Sequence, residues 1–177
     1  MVLFSGGFVV TRGLLNVERA TGPVQFDRFG GPELVLLFFA SSTCGACNDK
    51  RLLAAYPAMI ENVAKEALER KVRFATAGVG IDHRPSDAIK FFNKFGPFNE
   101  LIIGRNWTNS GALRYLWGEF SGAPETPQVV VVARTLSDSS NWVVQVKSER
   151  VLLRLSGLRQ ILRWINAGAP IPTYALE

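Results

Sequence analysis

The sequence predicts an α/β sandwich with a mixed central β-sheet, and three observations lead to this prediction. An apolar run at residues 34–39 is bounded by Gly30-Gly31-Pro32 before it and by Ser41-Ser42-Thr43 after it, which is typical of a buried strand. The next segment has its apolar residues at helical spacing. The chain then passes through further strands, short helices, a hairpin and a last helix, an order that suits a sheet covered by helices.

The first helix is predicted to start at the motif Cys44-Gly45-Ala46-Cys47. Pro57 cannot donate the usual backbone hydrogen bond, so we expect a kink near it. The apolar face of this helix recurs at steps of three and four residues: Leu52, Leu53, Tyr56, Met59, Ile60, Val63, Ala64, Ala67 and Leu68.

A second buried strand is predicted at residues 72–79. Ser86 is expected to cap a short helix at residues 88–95, which Gly96-Pro97 ends. The apolar residues 101–103 predict a brief strand. The next helix is predicted to begin at Asn109 or Ser110 and to stop near residues 121–122, with these residues on one side: Ala112, Leu113, Leu116, Trp117 and Phe120.

An antiparallel hairpin is predicted next, with strands at residues 129–134 and 142–147. Residues 151–155 either extend the second strand past a bulge or form a further strand. The closing helix, at residues 158–167, has apolar residues at helical spacing, and Gly168 is expected to be its C-cap.

We expect one domain over residues 1–177, with a short N-terminal extension at about residues 1–30. A chain of 177 residues can bury a substantial core, and 47% hydrophobic residues support one. Within the extension, residues 8–11 and 14–17 predict a hairpin.

The two cysteines of the chain lie three positions apart, directly after the first predicted strand. At the start of a helix, residues at this spacing share a face and are near enough for a disulfide. The first sulfur would lie among unpaired N–H groups, which favour its anion and lower the pKa of the thiol below the ordinary value of about 8.5. We therefore predict that Cys44 attacks a substrate and that Cys47 resolves the product.

Two other interpretations of the cysteine pair are an inert core pair and half of a metal site. The polar residues 41–43 indicate that the first thiol is reachable, which argues against the core interpretation. A structural zinc ion generally takes four ligands. His83 is the one histidine of the sequence, so no metal site is predicted, although a copper relay held by the same three residues stays conceivable.

The strand, the cysteine motif, the helix and the later Thr126-Pro127 ahead of residues 128–132 together resemble the thioredoxin superfamily. The resemblance covers about residues 30–168 and implies a three-layer sandwich with helices on both faces of the sheet. It also implies that Pro127 is in the cis form opposite the disulfide and that Thr126 binds an incoming peptide through its backbone. A cis bond is accessible almost only before proline; the alternative is an ordinary proline at the start of a strand.

The chain also departs from the pattern of the small thioredoxins. Pro127 lies 80 residues after Cys47, and this extra length is similar to that of extracytoplasmic, often membrane-anchored thioredoxin-like proteins. Thr43 stands where the family usually has a tryptophan, and Phe38 stands where thioredoxin has a buried acid. The Gly-Ala pair between the cysteines has neither proline nor histidine, so the resemblance does not imply the direction of electron flow.

Aromatic residues and Thr43 complete the predicted site. Thr43 directly precedes the attacking cysteine, and Trp107 lies in a predicted loop; both are predicted to contact substrate at the rim of the site. Trp117, Trp142 and Trp164 fall on apolar faces and are predicted to be core residues.

The charge of the chain argues against a nucleic-acid partner. The net charge is +5, but the 20 basic residues are scattered and no aromatic-basic recognition motif accompanies them. An acidic protein or an anionic membrane surface suits this charge better. His83 follows a strand end and is expected on the surface.

The resemblance implies a periplasmic or other extracytoplasmic location, with the cytoplasm as the alternative. No stretch reaches the roughly 18 apolar residues of a membrane span, and no basic region marks a signal peptide. We therefore expect that any leader or membrane anchor is absent from this chain.

The sequence predicts a thiol–disulfide oxidoreductase that exchanges its dithiol with protein substrates and a redox partner protein and needs no cofactor. The alternative from another class is a non-catalytic thioredoxin-fold binding subunit, or metal (copper) relay subunit, of an envelope assembly. A peroxidase ranks last, because the proline-containing loop expected before its reactive cysteine is missing.

Overall fold

A five-stranded mixed sheet positions the site. The computed structural model describes residues 30–118, 124–137 and 144–173. Its strands are β1 (Gly31–Ala40), β2 (Arg73–Gly80), β3 (Glu100–Ile102), β4 (Gln128–Leu136) and β5 (Val146–Ser156). Their order across the sheet is β3-β2-β1-β4-β5. The pairs β1–β2 and β2–β3 are parallel, whereas β1–β4 and β4–β5 are antiparallel.

Strand β1 is the centre of the molecule, because residues 33–40 are all buried. Successive side chains of a strand point to opposite faces of the sheet. The continuous apolar run therefore feeds two separate cores, one through Leu34, Leu36 and Phe38 and the other through Val35, Leu37 and Phe39.

Helices cover both faces of the sheet. The first core holds buried side chains of α1 (Lys50–Glu69), α2 (Pro85–Phe92) and α4 (Leu158–Asn166). The second core holds those of α3 (Ser110–Tyr115). The predicted three-layer α/β sandwich of thioredoxin-like form is confirmed.

The first helix begins later than predicted. Cys44 is followed by a 3₁₀ turn at Ala46–Asn48, and α1 starts only after it. Asp49 has extended backbone angles, and its side chain accepts a hydrogen bond from the Arg51 N–H at 2.8 Å. A carboxylate that bonds the N–H groups of a first turn defines the helix start, so the prediction that the cysteines lie in the first turn of α1 is wrong. The helix continues through Pro57.

The helix predicted at residues 88–95 also begins elsewhere. Ser86 is not its cap, because α2 starts at Pro85, with Arg84 as the cap residue. Proline suits the first helical position, where its missing N–H would have no partner within the helix. By contrast, α3 begins at Ser110, as predicted, and the side chain of its cap residue Asn109 accepts a hydrogen bond from the Ala112 N–H at 2.8 Å.

The β4–β5 hairpin has two register shifts, at Val131/Val132 and at Thr135/Leu136. Residues 151–155 belong to the same strand as the start of β5, so the extension past a bulge is confirmed. The strand begins at Val146, later than predicted. After α4, the C-cap is Ala167, and Gly168 follows it at a φ of 88°, a conformation that glycine adopts without steric cost.

Some predictions concern residues outside the described ranges. These are the N-terminal hairpin at residues 8–17, Phe120 with the helix end near residues 121–122, and Trp142. Within the described ranges, no helix is both long and apolar enough to cross a bilayer.

Candidate active site

The two cysteines lie at the turn between β1 and α1 and are joined as a disulfide, with their Cα atoms 5.2 Å apart. Cys47 is completely buried. Cys44 is half-buried and lines a cavity of about 390 Å³. One sulfur is therefore open to a substrate, and the other lies behind it in the core.

One backbone amide points at the Cys44 sulfur although α1 starts further on. The Cys47 N–H donates to the Cys44 Sγ at 3.1 Å, and the Cys44 N–H itself donates to the Ser41 carbonyl at 3.2 Å. An N–H group that points at a sulfur favours the thiolate over the thiol. The activation of Cys44 stays a prediction, and its physical basis here is one N–H of the 3₁₀ turn in place of a helix terminus.

Thr126 and Pro127 lie directly opposite Cys44. The Thr126–Pro127 peptide bond is cis, as the resemblance implies. The Thr126 carbonyl oxygen is 3.3 Å from the Cys44 Sγ. Antiparallel pairing explains this placement, because Phe39 near the end of β1 pairs with Gln128 at the start of β4.

The cavity brings most of the predicted site residues together. Thr43, Cys44, Trp107 and Thr126 all line it. Cys47 and Pro127 are buried behind this surface. The sequence predictions therefore converge on one concave surface that is large enough for a side chain beside the disulfide.

The division of the tryptophans between core and surface differs from the prediction. Trp107 is half-buried in the 3₁₀ turn Asn106–Thr108, and its carbonyl accepts a hydrogen bond from the Trp117 Nε1 at 2.7 Å. Trp117 is 49% exposed, so its assignment to the core is wrong; α3 ends at Tyr115, and Trp117 leaves the apolar face. The buried position of Trp164 is confirmed.

His83 is exposed at the rim of the cavity, as expected, and its Nδ1 lies 3.2 Å from the Asn106 Nδ2. Across the described residues, no three side chains of His, Cys, Asp or Glu are grouped so that they could hold a metal ion.

Asp82 is a site residue that the sequence analysis did not single out. It lies two residues after the end of β2, is 4% exposed and lines the same cavity as Cys44. Its Oδ1 accepts hydrogen bonds from the Ser41 hydroxyl at 3.2 Å and from the Ser42 N–H at 3.0 Å, and also from the Ser42 hydroxyl. The available signal was its position, because the carboxyl ends of adjacent parallel strands meet at one edge of the sheet.

Aromatic side chains fill much of the core that also holds Cys47. Phe38, at the position where the resemblance implies an acid, is fully buried and lies 5.4 Å from Tyr56 and 5.1 Å from Phe95, measured between ring centroids. Burial raises the pKa of Tyr56. Position 38 therefore supplies an aromatic ring to this core in place of a carboxylate.

The fold and the site together define a thioredoxin-like protein with a disulfide-forming cysteine pair. No family model matches the sequence, and no curated protein matches it. Solved structures do resemble it.

One similar structure is the thioredoxin domain of a thiol-disulfide oxidoreductase from Bacteroides vulgatus, at 17% identity and a TM-score of 0.38, covering 76% of this chain and 80% of that one. Another is a thioredoxin-family thiol:disulfide interchange protein from Chlorobium tepidum. It has 14% sequence identity and a TM-score of 0.37, and the match covers 78% of this chain and 81% of that one. A third is apo Sco1 from Thermus thermophilus, with 20% sequence identity and a TM-score of 0.36. The match covers 76% of this chain and 78% of that one.

Proposed function

We propose that this protein is a thiol–disulfide oxidoreductase. The observation that carries the proposal is the arrangement of the two sulfurs. The Cys44 Sγ lines an open cavity and faces the Cys47 N–H at 3.1 Å, while Cys47 is sealed in the core directly behind it. An accessible, amide-stabilised sulfur with a resolving partner within bonding reach is what thiol–disulfide exchange requires.

The reaction proceeds through a mixed disulfide. In the reducing direction, the Cys44 thiolate attacks a substrate disulfide, one substrate sulfur bonds to Cys44, and the other leaves as a thiolate that takes a proton from water. The deprotonated Cys47 then attacks Cys44, which forms the Cys44–Cys47 disulfide and releases the second substrate sulfur. Two electrons pass from the dithiol to the substrate, and the same steps in reverse oxidise a dithiol substrate.

We assign substrate contacts to the residues around Cys44. The Thr126 carbonyl, 3.3 Å from the Cys44 Sγ, is placed to bond the backbone of a peptide whose cysteine is attached there. Thr43 and Trp107 line the adjoining cavity and contact the flanking side chains. Pro127 lies under this surface and holds Thr126 at the start of β4.

The partners of this chemistry are protein thiols or disulfides and a second redox protein that restores the dithiol or the disulfide. We place the protein in the periplasm or another extracytoplasmic compartment, where disulfide exchange on proteins has its main use.

Reduction of insulin tests the proposal. With dithiothreitol as the terminal reductant, the wild-type protein should accelerate precipitation of the insulin B chain over the reductant alone. Cys44→Ser should remove the acceleration, because the attacking sulfur is gone. Cys47→Ser should stop after the first step and accumulate a mixed disulfide, visible by mass spectrometry.

The opposite results would contradict the proposal. If the wild-type protein does not exceed the background rate, or if Cys44→Ser retains the activity, the dithiol is not catalytic. One copper ion bound per reduced chain, without any exchange activity, would support the metal relay instead.

A further inference from the structure

Asp82 is a buried carboxylate whose hydrogen bonds are distributed unevenly between its two oxygens. Its Oδ1 accepts all three hydrogen bonds described above. Its Oδ2 is buried, and within the described parts of the chain it has no hydrogen-bond partner. Leaving a buried oxygen without a hydrogen bond destabilises the fold, and such groups are typically kept at functional sites.

Asp82 differs from Glu33, the other buried carboxylate compared with it, in having no ion-pair partner among the described residues. Glu33 is equally buried, at 5% exposure, but it forms ion pairs with Arg134 and with Arg73. Over residues 30–118, 124–137 and 144–173, no cationic side chain lies within ion-pair distance of Asp82. The charge of Asp82 is therefore not neutralised by a direct partner.

The other charged or titratable side chains at this cavity are those of His83, Arg84 and Asp87. His83 and Arg84 are exposed and Asp87 is half-buried, so solvent and salt screen them more than they screen Asp82.

Asp82 anchors the turn that leads to Cys44. It bonds the backbone N–H of Ser42 and the hydroxyl of Ser41. The Ser41 hydroxyl lies 3.0 Å from the Thr43 hydroxyl and accepts from the Thr43 N–H at 3.3 Å, and the Ser41 carbonyl accepts from the Cys44 N–H at 3.2 Å. Each residue from Ser41 to Cys44 is thus tied to Asp82 directly or through one intermediate.

We infer that Asp82 is a positioning residue that holds the Cys44 turn and, through its unpaired charge, biases the cysteine pair toward the disulfide, so that the protein acts as a reductant. The inference rests on the proposed function and adds the direction of electron flow to it. Asp82 lies just after β2, beside the Cys44 turn. The buried position 38, by contrast, holds a phenylalanine and no acid.

The electrostatic argument concerns the reduced form alone. Reduction breaks the Cys44–Cys47 bond, adds two electrons and one or two protons, and leaves negative charge on Cys44 whenever its proton is absent. Asp82 repels that charge, whereas the neutral disulfide has no such cost. Since a pair is a strong oxidant when its reduced form is stabilised, a neighbouring carboxylate shifts it toward a reductant.

Asp82→Asn tests the charge while keeping the side-chain shape and an oxygen acceptor. We expect the dithiol of this variant to be favoured threefold to tenfold over wild type in equilibrium with glutathione, about 14–30 mV in reduction potential. Asp87→Asn is the matched control, since it removes a more exposed carboxylate at the same cavity, and it should change the equilibrium constant less than twofold. Gel shift after thiol alkylation gives the ratio of dithiol to disulfide.

Ser42→Ala separates positioning from charge. It removes one hydroxyl donor to Asp82 and leaves the carboxylate, so we expect a slower exchange rate with an unchanged equilibrium constant. Should Asp82→Asn not fold by circular dichroism, Asp82→Ser carries the same expectation for the equilibrium.

An unchanged equilibrium constant in the Asp82 variants, or an equal shift in Asp87→Asn, would overturn the inference. That result is distinct from failure of the proposed function, in which the wild-type protein itself would not reduce insulin.

Discussion

Cys44 and Cys47 are three positions apart, yet they occupy different environments. The 3₁₀ turn at Ala46–Asn48 directs Cys47 into the first core, where it is completely buried, while Cys44 stays half-buried at the cavity. A bulky substrate disulfide can reach only the accessible sulfur. The difference in access between the two sulfurs therefore supports the proposed order of attack, before any difference in acidity is considered.

A prediction at this scale concerns Tyr56, which packs against Phe38 in the core that also holds Cys47. Its hydroxyl is buried and unpartnered among the described residues, so Tyr56→Phe should raise the free energy of unfolding by about 1 kcal/mol. Urea denaturation measures the change.

Tyr115→Phe is the matched control, because the Tyr115 hydroxyl donates to the Glu149 carboxylate at 3.0 Å. That variant should lose about 1 kcal/mol. If Tyr56→Phe is as destabilising as Tyr115→Phe, the Tyr56 hydroxyl has a partner after all.

At the scale of elements, the site depends on where three strands end or begin. The parallel strands β1 and β2 both end at the edge where the Cys44 turn meets Asp82, and the antiparallel β4 begins there with Thr126 just before it. Helix α1 starts immediately afterwards, with Asp49 as its cap. The junction between β1 and α1 therefore holds both the cysteine pair and the cap that stabilises the start of α1.

Asp49 supplies a pH-dependent prediction. The hydrogen bonds from the Arg51 side chain and backbone lower the pKa of Asp49 from 3.8 to about 2. The folded protein binds this proton less tightly than the unfolded chain does, so the carboxylate contributes stability above about pH 4, which is lost as the pH falls toward 2. The difference in unfolding free energy between wild type and Asp49→Asn should therefore shrink over this range.

Urea denaturation at pH 6 and pH 2.5 measures this difference. Glu69→Gln, at the other end of α1 and exposed, is the control. A difference for Asp49→Asn that stays constant between the two pH values would show that the carboxylate charge does not stabilise the start of α1.

At the scale of the whole molecule, the fold does not depend on its disulfide. Two apolar cores lie on opposite faces of one sheet, and β1 contributes to both. The disulfide closes only a short loop, since its cysteines are three positions apart. We therefore expect the protein to pass between dithiol and disulfide without unfolding.

Reduction should accordingly have a small effect on stability. Closing so short a loop contributes about 2 kcal/mol in the chain-entropy model, so we expect the free energy of unfolding to fall by about that amount or less when dithiothreitol is added. Near-ultraviolet circular dichroism should stay native. Loss of the native signal on reduction would show that the disulfide is structural.

Much of the fold could be predicted because the strongest signals are local. The apolar run at residues 34–39 is continuous, since β1 is buried on both faces, and the cysteine motif and Thr126-Pro127 are recognisable from adjacent residues alone.

The features that the sequence did not predict depend on contacts between distant residues or on which of several nearby residues begins or ends a helix. Asp82 meets Ser41 and Ser42 across about 40 positions of sequence, which no short pattern reveals. The start of α1 was misplaced because Asp49, rather than the cysteine turn, caps it. Trp117 has helical spacing, but α3 ends before it.

The central claim is that Cys44 is the accessible and activated sulfur and that Cys47 is shielded. Iodoacetamide alkylation of the reduced wild-type protein between pH 5 and 9, read by peptide mass spectrometry, tests it most directly. We predict that Cys44 alone is modified in the folded protein and that the pKa obtained from its reaction rate lies below the ordinary thiol value of about 8.5. Equal modification of Cys47, or a Cys44 pKa at or above that value, would contradict the claim.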